Sequence, residues 1–259
     1  MSGDLLALRQ CSVQFGGLKA VDRVDLEVDR GDLVGLIGPN GAGKTTVFNI
    51  ITGVYAPTAG EISFQGHSIG GWPTHRITKL GIARTFQNIR LFPTLSVMEN
   101  MRVARLLRAR SSLTSAVLRA PGFLREEREI DAHARRLLRV LGLERYAGVR
   151  ATSLPYGERR RLEIARALAT EPQLLLLDEP AAGMNPHEKG QLMQLIRRLR
   201  DEFGVSILLI EHDMRVVMGI CERITVLDYG EVIAVGAPEE IRTNPKVIEA
   251  YLGESSEEG

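Results

Sequence analysis

The stretch Gly38-Pro39-Asn40-Gly41-Ala42-Gly43-Lys44-Thr45-Thr46 restricts this chain more than any other part of it. It follows the apolar run LVGLI (33–37), which suits a buried strand, and precedes a segment that reads as a helix beginning near Lys44. The spacing fits G-x-x-x-x-G-K-[ST] in the strand–loop–helix context that a phosphate-binding loop requires. Glycines let successive backbone N–H groups turn inward around phosphate oxygens, where side chains would block the approach. The following helix adds the positive end of its dipole. Lys44 is expected to reach the β- and γ-phosphates, and the Thr45 hydroxyl to ligate Mg²⁺. These residues predict a nucleotide site.

A loop of this kind needs a sheet of buried parallel strands, and the rest of the chain supplies one. LLLLD (174–178), VSILLI, ITVLD and EVIAV read as further strands. Asn185-Pro186-His187-Glu188 combines a capping residue, a proline at the first helical position and an acid three after the cap, so a helix should run from there to about Phe203 and end at Gly204. Strand–helix alternation predicts an α/β fold with a mostly parallel sheet covered on both faces. At the N-terminus, LLALRQCSVQF and VDRVDLEV alternate as half-buried antiparallel strands joined at Gly16-Gly17, and EISFQG continues that pattern. From Leu95 to Leu143 the character is helical, with Ala134, Leu137, Leu138 and Leu141 on one face and a break at Pro121-Gly122. The expected organisation is one domain over 1–253, with an α/β core at 1–94 and 155–253, a helical subdomain inserted at 95–154, and a frayed acidic tail at 254–259.

Asp178 and Glu179 end the LLLLD strand, and alternation along a strand points their side chains in different directions. Asp178 is expected to hold Mg²⁺ while Glu179 serves as general base toward an attacking water.

Composition narrows the setting. With 44% hydrophobic and 25% charged residues among 259, the chain reads as globular. Its apolar runs fall short of the roughly 18 residues needed to cross a bilayer. The N-terminal residues lack the pattern of a secretory signal, and two cysteines provide neither a disulfide framework nor zinc spacing, so a cytoplasmic setting is expected. The net charge of +1 hides an uneven distribution: 18 arginines face 8 acidic residues between Arg84 and Arg166. That block reads either as a solvated helical face or as a docking surface.

Leu154-Pro155-Tyr156-Gly157-Glu158, placed just before a helix, completes a set that resembles the ATP-binding-cassette (ABC) ATPases, whose signature reads Leu-Ser-Gly-Gly-Gln. The resemblance covers nearly the whole chain in order: phosphate loop, Gln87 in the glutamine loop, signature, Asp178-Glu179, the loop Ala181 to Asn185, and His212 in the switch-histidine position. It implies the phosphate-loop NTPase core of that family, ATP as substrate, Mg²⁺ held by Thr45, Gln87 and Asp178, and catalytic roles for Glu179, His212 and Gln87. It also implies adenine stacking on Phe15 and signature contacts from Leu154, Tyr156, Gly157 and Glu158 to a nucleotide held by a second cassette. Within the family, GIARTFQNIRLFPTLSVMENM (81–101), LEIARAL (162–168), DEPAAGMNP (178–186) and the stretch 226–254 are similar to the ATP-binding subunits of bacterial branched-chain amino-acid importers. That similarity implies a second ABC ATPase subunit, two integral membrane permeases and a periplasmic or extracellular binding protein as partners, no nucleic acid, and a place on the cytoplasmic face of the inner membrane.

The chain departs from the family signature at Pro155, where serine is usual, and at Glu158, where glutamine is usual. A half-site one charge-assisted hydrogen bond short is the expectation. Lipopolysaccharide-export ATPases share the E-R-R-like signature, but they usually carry proline before the loop glutamine. Soluble ABC proteins of DNA repair or translation need a long coiled-coil insertion or two cassettes.

Overall fold

The computed structural model describes residues 4–108 and 121–254 and divides into two compact units. One comprises residues up to Gln87 together with those from Gln173 onward; the other is Asn88–Pro172.

The first unit contains two sheets. β1 (Leu6–Phe15), β2 (Leu18–Val28), β4 (Ala59–Phe64) and β5 (His67–Ser68) form an antiparallel sheet in the order β2-β1-β4-β5. Alternation supports it, since Leu6, Leu8, Val24, Leu26, Ile62 and Phe64 all point into one apolar cluster. The second sheet has six strands: β3 (Leu33–Ile37), β6 (Ile82–Arg84), β7 (Leu174–Asp178), β8 (Ser206–Ile210), β9 (Arg223–Asp228) and β10 (Glu231–Gly236). Their order is β10-β9-β3-β8-β7-β6, parallel throughout except for β10. β3, β7 and β8 are buried at every position, which is why they read as unbroken apolar runs. In register, Leu36 pairs with Ile210 and Asp178 pairs with Ile210. The C-terminal ends of β3, β8 and β7 therefore lie side by side, the edge where open α/β sheets place ligands.

Helices α1 (Lys44–Ile51) and α2 (Thr74–Leu80) belong to this unit, as do α6 (Pro186–Phe203), α7 (Met214–Ile220), α8 (Pro238–Thr243) and α9 (Pro245–Glu254). α6 begins as expected. The Asn185 side chain accepts from Glu188 N–H at 3.0 Å, Glu188 accepts from Asn185 N–H at 2.9 Å, and Gly204 closes the helix in the left-handed region at φ 61°.

The second unit is helical: α3 (Val97–Arg105), α4 (Pro121–Val140) and α5 (Tyr156–Leu168). α4 buries Ile130, Ala134, Leu137 and Leu138, and Leu141 just beyond it is buried as well. The face that the sequence periodicity marks at Ala134, Leu137, Leu138 and Leu141 is therefore the one turned inward. This unit is wider than the expected 95–154 and extends past Leu154 through α5. The reason is packing: α5 lies against α3 and α4, so the return to the sheet comes at Gln173, just before β7. The acidic tail from residue 255 lies outside the described residues.

Candidate active site

The Gly38–Thr46 loop leaves β3 and enters α1 through a tightly enclosed path. Gly38 has φ 147°, and a Cβ there would sit 2.0 Å from the Leu227 carbonyl oxygen. Gly43 has φ 100°, and a Cβ there would meet the Ala20 oxygen at 2.5 Å. β9 and β2 thus press on the loop from outside, and only glycine fits beneath them. The Ala42 carbonyl also accepts from Gly230 N–H at 3.1 Å, which ties the loop to the β9–β10 turn. Asn40, Gly41 and Thr45 are exposed, Gly43 and Thr46 are half-buried, and Gly38, Pro39, Ala42 and Lys44 are buried. The Lys44 ammonium donates to the Gly38 and Pro39 carbonyls at 2.7 Å each, so it curls over its own loop. The first i→i−4 bond of α1 runs from Val47 N–H to the Gly43 carbonyl, and the amides of the turn before it form the positive end of the helix.

Two acids stand on the same edge of the sheet at the end of β7, with β8 between that strand and β3. Asp178 is buried at the end of β7. Glu179 follows with φ 45°, a left-handed conformation that costs a non-glycine residue and is characteristic of functional turns. The β6 exit segment holds both. Arg84 donates from Nη2 to Asp178 Oδ2 at 2.7 Å and from Nη1 to Asn49 Oδ1 at 2.8 Å, and its guanidinium lies 5.3 Å from the Phe48 ring centre and 5.1 Å from that of Phe86. The Thr85 hydroxyl accepts from Asp178 N–H at 3.3 Å. Gln87 Nε2 donates to Glu179 Oε2 at 2.9 Å, and His212 Nδ1 lies 3.7 Å from that same oxygen. Glu179, Gln87 and His212, which stand far apart in sequence, are thereby brought together. His212 remains largely solvent-facing, with 61% of its side chain exposed against 20% for Glu179.

The donor set suits a hard cation. Arg84 takes only one oxygen of Asp178, and Oδ1 receives no hydrogen bond from the described residues. The exposed Thr45 hydroxyl adds a second oxygen, whereas no group of three or more His, Cys, Asp or Glu side chains converges as a cage among the described residues. Few protein ligands beside phosphate oxygens is the usual arrangement for Mg²⁺.

Phe15 is 44% exposed at the end of β1, with its ring edge-on to Tyr55 at 5.2 Å, so it is no core residue and leaves a face open. The signature residues belong to the helical unit. Pro155 occupies the cap position of α5 without a side-chain hydrogen bond, Tyr156 is exposed beneath the Arg159 guanidinium, and Gly157 is half-buried. Glu158 lies 3.8 Å from both Arg145 and Arg161. Leu154 is buried, so its side chain anchors the motif instead of facing outward. Beneath it, Arg160 and Glu163 form a fully enclosed pair at 2.9 Å, and Glu163 also accepts Arg90 N–H at 3.1 Å.

Residue-by-residue reading of the sequence misses Arg84 and Thr85. The available signal was an arginine ending an otherwise apolar strand, which reads as an edge charge until the fold places Asp178 beside it.

Comparison with known proteins agrees with this geometry. A family model described as ABC transporter matches residues 21–182, and a second, described as branched-chain amino acid ATP-binding cassette transporter, matches residues 231–257. The chain is 49% identical over 255 residues to the high-affinity branched-chain amino acid transport ATP-binding protein LivG of Salmonella typhimurium, covering 98% of this chain and 100% of the relative. It is 48% identical, with the same coverage, to the corresponding protein BraF of Pseudomonas aeruginosa. Among solved structures, an ATP-binding cassette of an ABC transporter in its ADP conformation superposes with a TM-score of 0.85 at 30% identity, covering 97% of this chain and 100% of that one. A phosphate loop at the end of β3, paired acids at the end of β7 and a full-length likeness to transport cassettes place this chain in the ABC transporter family, as an ATP-hydrolysing ATP-binding subunit.

Proposed function

We propose that this chain energises the import of branched-chain amino acids. The convergence of Gln87 and His212 on Glu179, beside a phosphate loop whose shape only glycine permits, carries the hydrolytic part of that reading. Similarity over 98% of the chain to branched-chain amino-acid transport proteins, and the C-terminal match at 231–257, support the substrate.

In this reading the loop from Gly38 to Thr46 wraps the phosphates, Lys44 moves from its carbonyl partners to the β- and γ-phosphates, and the open face of Phe15 stacks on adenine. Thr45, Gln87 and Asp178 would hold Mg²⁺, which would neutralise phosphate charge when bound. Glu179 accepts a proton from the attacking water, and Gln87 and His212 hold its carboxylate in place. Leu154, Tyr156, Gly157 and Glu158 position the start of α5 toward a nucleotide on a second ABC subunit, identical or homologous, so that ATP closes the pair and hydrolysis releases it. Two membrane permeases and, through them, a periplasmic or extracellular binding protein complete the assembly, with this chain on the cytoplasmic face of the inner membrane and no nucleic acid involved. No described helix is long and apolar enough to cross a membrane.

The test is a pull-down from detergent-solubilised membranes with tagged Glu179→Gln protein and saturating Mg-ATP. Recovery of two permeases and a second cassette protein is expected, with a binding protein that takes leucine-type ligands. Recovery of soluble nucleic-acid or ribosomal proteins alone would overturn the transport reading.

A further inference from the structure

Glu211 follows β8 directly and is fully buried, yet none of the roles above uses it. No basic side chain pairs with it among the described residues. Its carboxylate instead accepts two backbone amides: Oε1 takes Ala181 N–H at 2.6 Å, and Oε2 lies 3.5 Å from Asp213 N–H. Burial raises its pKa, with the nearby Glu179 charge adding to the rise, while the two amides and His212 oppose it. A buried carboxylate without a cation is costly, and an apolar side chain in its place would be cheaper for folding alone.

What the carboxylate holds is the turn after the catalytic acid. Within that turn Ala182 N–H donates to the Glu179 carbonyl at 3.2 Å and Met184 N–H to the Ala181 carbonyl at 3.2 Å. Glu179 N–H donates across to the Ile210 carbonyl at 2.9 Å. The strained Glu179 is thus pinned on one side by Ile210 and on the other, through Ala181, by Glu211. Asp213, two residues beyond Glu211, caps α7 and pairs with Lys189 of α6 at 2.5 Å, which anchors the far end of the same loop. His212 lies between these two acids.

We propose that Glu211 is a positioning residue for hydrolysis: its carboxylate clamps the Ala181 amide and thereby fixes in one frame the turn that carries Glu179 and the loop that carries His212. This rests on the reading of Glu179 as the general base. A hydrogen bond to a backbone amide strengthens as water is excluded, so the clamp is rigid where the general base must be held.

The test compares Glu211→Gln, Glu211→Asp and Glu211→Leu in the full chain. Gln keeps the accepting oxygen, Asp keeps the charge but withdraws the oxygen by about 1.5 Å, and Leu removes it. Hydrogen exchange of the peptide spanning 179–184 is read on the chain alone. It should rise about tenfold in the Asp and Leu variants and stay near wild type in Gln. With the partner subunits present, kcat should fall about tenfold in Asp and Leu while nucleotide affinity changes less than about twofold. Rescue by Gln but not by Asp identifies geometry, not charge or simple stability, as the contribution. Unchanged exchange in the Asp variant, or wild-type kcat in a variant whose turn has loosened, would overturn the proposal. Full turnover by a Glu179→Gln complex would instead bring down the general-base reading itself, a result distinct from a complex that needs Glu179 yet is indifferent to Glu211.

Discussion

Replacing Arg84 by methionine isolates the energetics of the acidic end of β7. Arg84 and Asp178 have side chains only 7% and 6% exposed and meet at 2.7 Å. At an effective dielectric constant of about 20 their attraction is about 6 kcal/mol. Removing both charges from water costs several kcal/mol each, so the intact pair contributes little net stability. Removing one partner is another matter, because the carboxylate then stays buried without its cation, at a cost of about 3–5 kcal/mol. Methionine keeps contact with Phe48 and Phe86, so packing loss is a minor part of the effect. At about 2–4 °C per kcal/mol for a chain of this size, Arg84→Met should lower Tm by about 6–20 °C. Asp178→Asn alone leaves the arginine uncompensated and should also destabilise. The double variant Arg84→Met with Asp178→Asn should recover much of the loss, because no buried charge remains. The assay is thermal and urea denaturation of all four proteins as a double-mutant cycle, with an expected coupling of at least about 2 kcal/mol. Additive effects, or an Arg84→Met loss below about 1 kcal/mol, would show that the pair behaves as an exposed one and would refute the reasoning.

Gly38→Ala should cost about 2–6 kcal/mol through backbone strain and its clash with the Leu227 carbonyl, whereas Gly41→Ala, with φ 79° and open space around it, should cost only about 1–2 kcal/mol; denaturation midpoints of the two variants check the order. His133 has its pKa lowered, first by burial and then by Arg105, with Glu171 opposing. The unfolded chain therefore takes up the proton first as pH falls, and stability present above the ordinary imidazole value of about 6.5 is lost as pH drops through the lower folded value. Removing His133 by His133→Phe should flatten the pH dependence of Tm in that window, and an unchanged slope would contradict it. Pro155→Ser restores a hydroxyl at the start of α5 and should tighten ATP-driven pairing in a Glu179→Gln background about tenfold, measured by sedimentation with Mg-ATP; unchanged pairing would remove the case for a weakened half-site.

The parts of this molecule that were legible in the sequence are those that a short window of residues determines by itself. β3, β7 and β8 are buried on both faces, so each appears as a plain apolar run. The phosphate loop is dictated by close approaches at Gly38 and Gly43 that no other residue allows, and the start of α6 by reciprocal bonds across three residues. The boundary of the helical unit was not legible. LEIARAL is apolar enough to belong to either unit, and only its packing against α3 and α4 decides between them. Arg84 and Glu211 escaped for a sharper reason. Their partners lie 94 and 30 residues away, and neither contact leaves a period, a cap or a turn residue as its trace. Each is a buried charge whose meaning depends on what the sheet register places beside it. The active-site chemistry is therefore encoded on two scales: nucleotide-facing groups in local motifs, and the groups that hold them rigid in pairings that exist only once β6, β7 and β8 stand in order. Substitutions that preserve every motif but alter Arg84 or Glu211 should leave a chain that still reads as an ABC ATPase and yet holds its acids poorly.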